Sequence, residues 1–192
     1  VLPDNYAVDD PSLADIQYQF ELTFSDEQLA QLDAPEQLSR DLHARTYVPG
    51  FLGLNNTAHH EAINVVLQAL SHVAPLRDFF LRRKPGSDGT ELLRRFGTLV
   101  RRLWNPRAFK RQVSPHEFLQ QVSQASHGRF TASEACDPVD FLGWLLNQLH
   151  RDLVGGSASM ARKTSSIITD SFQGAMRLET QNVAVRTGLE ES

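Results

Sequence analysis

Gly53-Leu54-Asn55-Asn56-Thr57-Ala58-His59-His60-Glu61-Ala62-Ile63-Asn64-Val65-Val66-Leu67-Gln68-Ala69-Leu70 is the stretch on which the reading of the fold turns. Ile63, Val66, Leu67 and Leu70 recur at i, i+3, i+4 and i+7, the spacing that lines up one face of an α-helix. This predicts a helix over Ala62–Leu70, buried along that stripe. Glu61 falls in its first turn, where a carboxylate interacts well with the helix dipole. Upstream, Pro49, Gly50 and Gly53 make residues 46–58 a loop. Downstream, Pro75 is expected to stop the helix.

Further helices follow the same logic. Thr90–Trp104 carries Phe96, Leu99, Val100 and Leu103 on one face and Arg94, Arg95, Arg101 and Arg102 on the other, with Pro106 after it. Ser114-Pro115-His116-Glu117 is a helix start, with Ser as N-cap, Pro in the first turn and Glu three residues on. Phe118, Leu119 and Val122 form its inner face. Pro138–Leu153 turns Phe141, Leu142, Leu145, Leu146 and Leu149 inward, and Gly155–Ser159 reads as a flexible linker. Ser25-Asp26-Glu27-Gln28 reads as a capping box opening a helix to about Leu32. Two segments read as strands: Ile16–Leu22, which alternates apolar and polar residues, and Ser166–Thr180, with Gly174 as a bend. Residues 84–89 read as a turn-rich break and residues 1–12 as an irregular linker. Trp104 reads as a plug at a helix end rather than a ligand-stacking residue.

Composition bounds the rest. The 192 residues are 41% hydrophobic and 22% charged, with net charge −4, an ordinary globular balance. The longest apolar run, Val65–Leu70, is far below the ~18 residues of a membrane helix. The single cysteine, Cys136, forms neither an internal disulfide nor a four-cysteine zinc site, which points to a reducing compartment. The chain opens on Val1-Leu2-Pro3, without Met or a signal-peptide apolar region, and reads as a piece of a longer protein. Charge is uneven. Residues 1–41 hold ten acids and one base, and residues 77–111 hold eleven bases and three acids. Such asymmetry bears on partners rather than on fold. Either the two segments face each other or water, or the basic one meets RNA or an acidic protein face.

Three segments carry a family resemblance. Gly53, Leu54, Asn56, Asn64, Leu67, Gln68 and Leu70 match, in register, the cysteine box of ubiquitin-specific proteases. Asp137–His150 resembles that family's second conserved helix, with Ala135 and Cys136 where its leading glutamines stand. Ile168–Arg177 is similar to the segment leading into its fingers. Leu2–Tyr6, Pro49–Asn56, Leu103–Arg107, Val113–Glu117 and Val139–Leu142 resemble in particular a catalytically inactive branch of the family that joins the spliceosomal tri-snRNP. The resemblance implies an α+β, papain-like ubiquitin-specific-protease fold. The chain would supply mostly its helical thumb half and the first finger strands. Residues 1–45 would follow a zinc-finger domain absent from this sequence and hold a short strand and helix. Residues 46–178 would be the thumb half, with 179–192 unassigned.

The resemblance also sets the chemistry. The family's nucleophilic cysteine falls on Glu61, and a carboxylate is too weak a nucleophile toward an amide to replace a thiolate. Cys136 lies 75 residues away, at the start of another helix. The family's His box is absent, and none of the seven histidines sits in such a context. Asn56 occupies the oxyanion-hole position, and one donor without a nucleophile is no catalyst. The finger zinc site needs paired cysteine motifs that are lacking, so zinc is expected only in the absent domain and no cofactor in this chain. His59, His60 and Glu61 are adjacent and point in different directions, a poor metal set. The leading expectation is therefore a nuclear, non-catalytic scaffold of the tri-snRNP that supports pre-mRNA splicing. Its partners would be snRNP proteins, with snRNA and ubiquitin as further candidates and no membrane. Its contact residues would be Arg94, Arg95, Arg101, Arg102, Arg107, Lys110 and Arg111. The alternatives are a ubiquitin-binding pseudo-protease and a deubiquitinase of unorthodox chemistry.

Overall fold

The computed structural model describes residues 13–33, 38–56, 58–84, 89–131, 133–155, 159 and 163–180. Their core is helical. α4 (Ala74–Arg82), α6 (His116–Ala125) and α7 (Pro138–Val154) pack against α5 (Glu91–Leu103), and α3 (Glu61–Ser71) packs against α4 and α7. The predicted stripe of α3 is the buried one: Ile63, Val66, Leu67 and Leu70 are all nearly inaccessible. A row of edge-to-face and tilted rings then ties three helices together. Phe80 of α4 lies 5.0 Å from Phe96 of α5, which lies 5.7 Å from Phe118 of α6. Such ring pairs add about 0.5–1.5 kcal/mol each beyond their burial. Phe130, Phe141 and Trp144 make a second cluster beneath α7.

Pro75 does not merely end α3. It sits in the first turn of α4, where a missing N–H costs nothing because that donor has no intrahelical partner anyway. The chain therefore turns at Val73 and continues as a helix. α7 is closed at both ends by its own residues. The Asp137 carboxylate accepts from the amides of Val139 and Asp140, at 2.7 and 2.9 Å. Gly155 ends the helix in the left-handed region, at φ 63°. α6 starts one residue later than expected, at His116, with the Ser114 hydroxyl 3.5 Å from its first amide.

Neither expected strand is found among the described residues. Residues 16–22 are not a strand: Leu13–Glu21 is helix α1. Tyr18 and Gln19 are neighbours that a strand would send to opposite faces. Both instead reach one loop, where Arg107 stacks over the Tyr18 ring at 4.8 Å and Gln19 Nε2 donates to the Arg107 carbonyl at 2.7 Å. The finger strands expected over 166–180 are also missing among the described residues. Ile167–Phe172 is a short helix, α8, nucleated by a capping box between Ser166 and Thr169. Residues 173–180 are exposed and make no ladder. The helix α2 (Asp26–Leu32) has the expected capping box on Ser25 and Gln28. Leu22, Phe24 and Leu29 enter the same core as α4 and α5. The expected linker at 1–12 lies outside the described residues, as do residues 85–88 of the turn-rich break and residues 156–158 of the linker after α7.

Strand structure is slight. β1 (Ser39–Arg40) pairs antiparallel with β2 (Thr46–Tyr47), and β3 (Gly53–Leu54) pairs in parallel with β4 (Gln112–Val113). β3 and β4 together aim the loop that enters α3. Among the described residues no helix is long and apolar enough to cross a membrane.

Candidate functional site

The loop between β3 and α3 is fixed by its own polar groups. The Gly53 amide donates to the Arg111 carbonyl and the Asn55 amide to that of Val113, continuing the β3–β4 ladder. Gln68 Nε2 reaches back from α3 to the Leu52 carbonyl at 2.7 Å, and Asn64 Nδ2 to that of Asn55 at 3.4 Å. The matched residues Asn64 and Gln68 thus buckle the loop onto the helix it precedes.

At its end Asn56 Nδ2 donates to Glu61 Oε1 at 2.8 Å. The same Asn56 side chain accepts from the His60 amide at 3.3 Å. Glu61 is the first residue of α3 and faces solvent. The Asn56 hydrogen bond, aided by the backbone amide of Glu61 itself, holds the Glu61 carboxyl below the usual carboxylate range. The site therefore presents a fixed negative charge at a helix N-terminus, with its nearest amide donor already engaged. His60 packs inward behind it, 4% exposed, and neither ring nitrogen has a partner among the described residues. Among the described residues no three His, Cys, Asp or Glu side chains converge as metal ligands would. Cys136 lies before α7, and burial with the neighbouring Asp137 and Asp140 pushes its thiol up. That is the opposite of what an activated thiolate needs.

The expected contact residues are not one surface. The α5 arginines are largely engaged within the chain. Arg94 and Arg95 both pair with Glu91, Arg95 also with Glu117 at 2.5 Å, and Arg102 approaches Glu117 at 3.8 Å. Arg101 is not on the outer face: it is 7% exposed and donates from Nη2 to the Arg83 carbonyl at 2.7 Å. It stands at the edge of the arginine stripe beside Gly97, and the missing side chain there leaves room for the guanidinium. Burial, with Arg83 nearby, lowers its pKa to about 10. Arg107, Lys110 and Arg111 lie beyond α5 and remain exposed. The acidic N-terminal segment does meet the basic one in part. Arg77 pairs with Asp33 at 2.7 Å, Arg82 with Asp26 at 2.8 Å, and Arg111 approaches Asp41 at 3.8 Å. Trp104 is a core plug, with Nε1 on the Ser71 carbonyl at 2.9 Å and Arg77 over its ring at 4.5 Å.

Sequence reasoning missed the role of residues 39–47. The Leu42 amide donates to the Phe109 carbonyl, which seats this hairpin beside Arg107–Gln112. Nothing in the local pattern of either segment points to the other.

Comparison with known proteins accords with this geometry. The family model for ubiquitin carboxyl-terminal hydrolases matches residues 52–187. Ubiquitin carboxyl-terminal hydrolase 39 of Homo sapiens is 47% identical over 190 residues, covering 95% of this chain and 33% of its own. The probable mRNA-splicing protein ubp10 of Schizosaccharomyces pombe is 44% identical over 183 residues, covering 95% of this chain and 36% of its own. The crystal structure of an essential yeast splicing factor superposes with a TM-score of 0.61 and 30% identity, over 71% of this chain and 33% of that one. The chain thus spans about a third of the length of the curated relatives it matches. With the family model covering more than half of its residues, the chain belongs to the ubiquitin carboxyl-terminal hydrolase family.

Proposed function

We propose that the chain is the thumb part of a non-catalytic, ubiquitin-protease-like scaffold of the splicing machinery, acting in the nucleus through contacts with snRNP proteins of the tri-snRNP. The observation that carries the reading is the Asn56–Glu61 hydrogen bond. Hydrolysis of an amide in this family needs a nucleophile at this place and a donor free to meet the developing oxyanion. Here the place holds a solvated carboxylate, and the donor is spent on it. Negative charge at that spot repels an oxyanion rather than stabilising it. The relatives named as splicing proteins support the setting.

Two measurements test this. Incubation of the full-length protein with ubiquitin vinyl sulfone, which requires a reactive thiol, should give no adduct. The protein should co-sediment with tri-snRNP particles from nuclear extract. An adduct, or free sedimentation under conditions where the particle is intact, would overturn the reading.

A further inference from the structure

We propose that the corner between the 39–47 hairpin and residues 107–112 binds single-stranded RNA, with phosphates on Arg45, Lys110 and Arg111 and a base stacked on Phe51. The proposal rests on the splicing reading for its setting and on the corner itself for its chemistry.

The two segments enclose a cleft of about 650 Å³, large enough for a nucleotide. His43, Arg45, Lys110 and Arg111 line it, and no carboxylate does. The nearest acid, Asp41, lies behind the surface with its side chain fully buried. It is consumed in holding the hairpin: it accepts from the amides of His43 and Arg45 and from Arg45 Nε, each at 2.8–2.9 Å. One buried carboxylate thus faces two guanidinium groups, and Arg111 reaches it only at 3.8 Å. Among the described residues Lys110 has no ion-pair partner. This contrasts with α5, where Glu91 and Glu117 already engage Arg94, Arg95 and Arg102. The excess positive charge of the basic segment is therefore available at the corner and not on the helix.

Phe51 decides the class of partner. Its ring is 72% exposed at the rim of the same cleft, held edge-on by His72 at 4.9 Å. An aromatic platform beside a cationic groove suits a single strand, whose bases are free to stack while its phosphates meet arginine and lysine. A duplex offers the phosphates without a free base face. An acidic peptide would use the cations and leave the ring in water.

Fluorescence anisotropy on the full-length protein with a labelled single-stranded RNA of about 12 nucleotides tests this. Saturable binding is expected, with log affinity falling against log salt at a slope of about −2 for three phosphate contacts. The double variant Lys110→Glu/Arg111→Glu should bind at least about tenfold more weakly, and Phe51→Ala about tenfold. Arg94→Glu/Arg102→Glu should leave binding unchanged. All these positions are at least partly exposed, and unaltered thermal melting shows that each variant is folded. No binding to the RNA, binding indifferent to the corner variants, or binding of an acidic phosphopeptide in place of RNA would each overturn the proposal. The scaffold reading is scored separately, by the ubiquitin probe and by particle sedimentation, so either can fail alone.

Discussion

Asn56 Nδ2 and Glu61 Oε1 lie 2.8 Å apart, across the turn by which the chain enters α3. The bond fixes an anion in the first turn of α3. It also locks the asparagine amide toward that anion.

The lock has a titration signature. Because the Asn56 hydrogen bond holds the Glu61 pKa down in the folded protein, its stabilisation is present above the unfolded value of about 4.3. It is lost as pH falls through the lower folded value. Asn56→Ala should move the Glu61 carboxyl titration, followed by carbon NMR, upward toward the ordinary range. The stability gap between the variant and the parent should close on acidification. A Glu61 titration unmoved by the substitution would show that the bond does not form in solution.

Arg77 and Asp33 make an ion pair whose two ends are worth different amounts. The Arg77 side chain is 3% exposed and the Asp33 side chain 66%. Burial works against the Arg77 charge, but Asp33 and Asp78 outweigh it and its pKa is raised. Its guanidinium also covers the face of Trp104. Arg77→Ala should therefore cost about 2–4 kcal/mol, leaving Asp78 unpaired and Trp104 uncovered. Asp33→Ala removes only an exposed partner and should cost less than about 1 kcal/mol. Denaturant midpoints of the two variants measure the asymmetry; equal losses would refute it.

Arg101 reverses that pattern. It is buried with Nε unpartnered among the described residues, and its nearest charge, on Arg83, is of the same sign. Among the described residues its hydrogen bond goes to the Arg83 carbonyl. Replacing a poorly compensated buried charge by an apolar chain of similar length is often neutral or stabilising. Arg101→Met should leave stability unchanged within about 1 kcal/mol, or raise it. A loss above about 2 kcal/mol in a denaturant melt would mean that the guanidinium is better served than its contacts imply.

What the sequence made legible were the elements whose signal is local. The stripe Ile63-Val66-Leu67-Leu70 and the α5 and α7 stripes each stand on a 3.6-residue period, and each proved to be a buried face. The alternation Ile16-Tyr18-Phe20-Leu22 misled because seven residues fit either period, and among the described residues no neighbouring strand pairs with them. α4 was hidden by reading Pro75 as a stop. The resemblance that aligns Glu61 with the family's nucleophile was legible, because the matched glycine, asparagine and glutamine residues set its register without a gap. Its bond to Asn56 was not, since that depends on a loop shaped by β4, about fifty residues on. Arg101 counted as outward because its burial depends on Gly97 and α4 together. The basic corner was split between residues 40–45 and 107–112, which meet through the Leu42–Phe109 hydrogen bond and the Asp41–Arg111 approach, contacts far apart in sequence.

Gly50 and Gly128 offer a last, differential test of the packing behind the site. Both have positive φ, +88° and +81°, so an alanine at either is strained. At Gly128 a Cβ would meet nothing within 4 Å, so Gly128→Ala should cost only the backbone term, about 1 kcal/mol. At Gly50 a Cβ would stand 2.8 Å from the indole of Trp104. That ring cannot retreat easily, because Nε1 is tied to the Ser71 carbonyl and Arg77 lies over its face. The Gly50 amide is itself tied to the Leu103 carbonyl at 2.8 Å. Gly50→Ala should therefore cost the backbone term and an overpacking term together, about 2–4 kcal/mol. It should also shift the Trp104 fluorescence, as the indole is pushed from its pocket. Equal losses at the two glycines, with an unchanged emission maximum, would show that Trp104 is not clamped between α3, α4 and this loop.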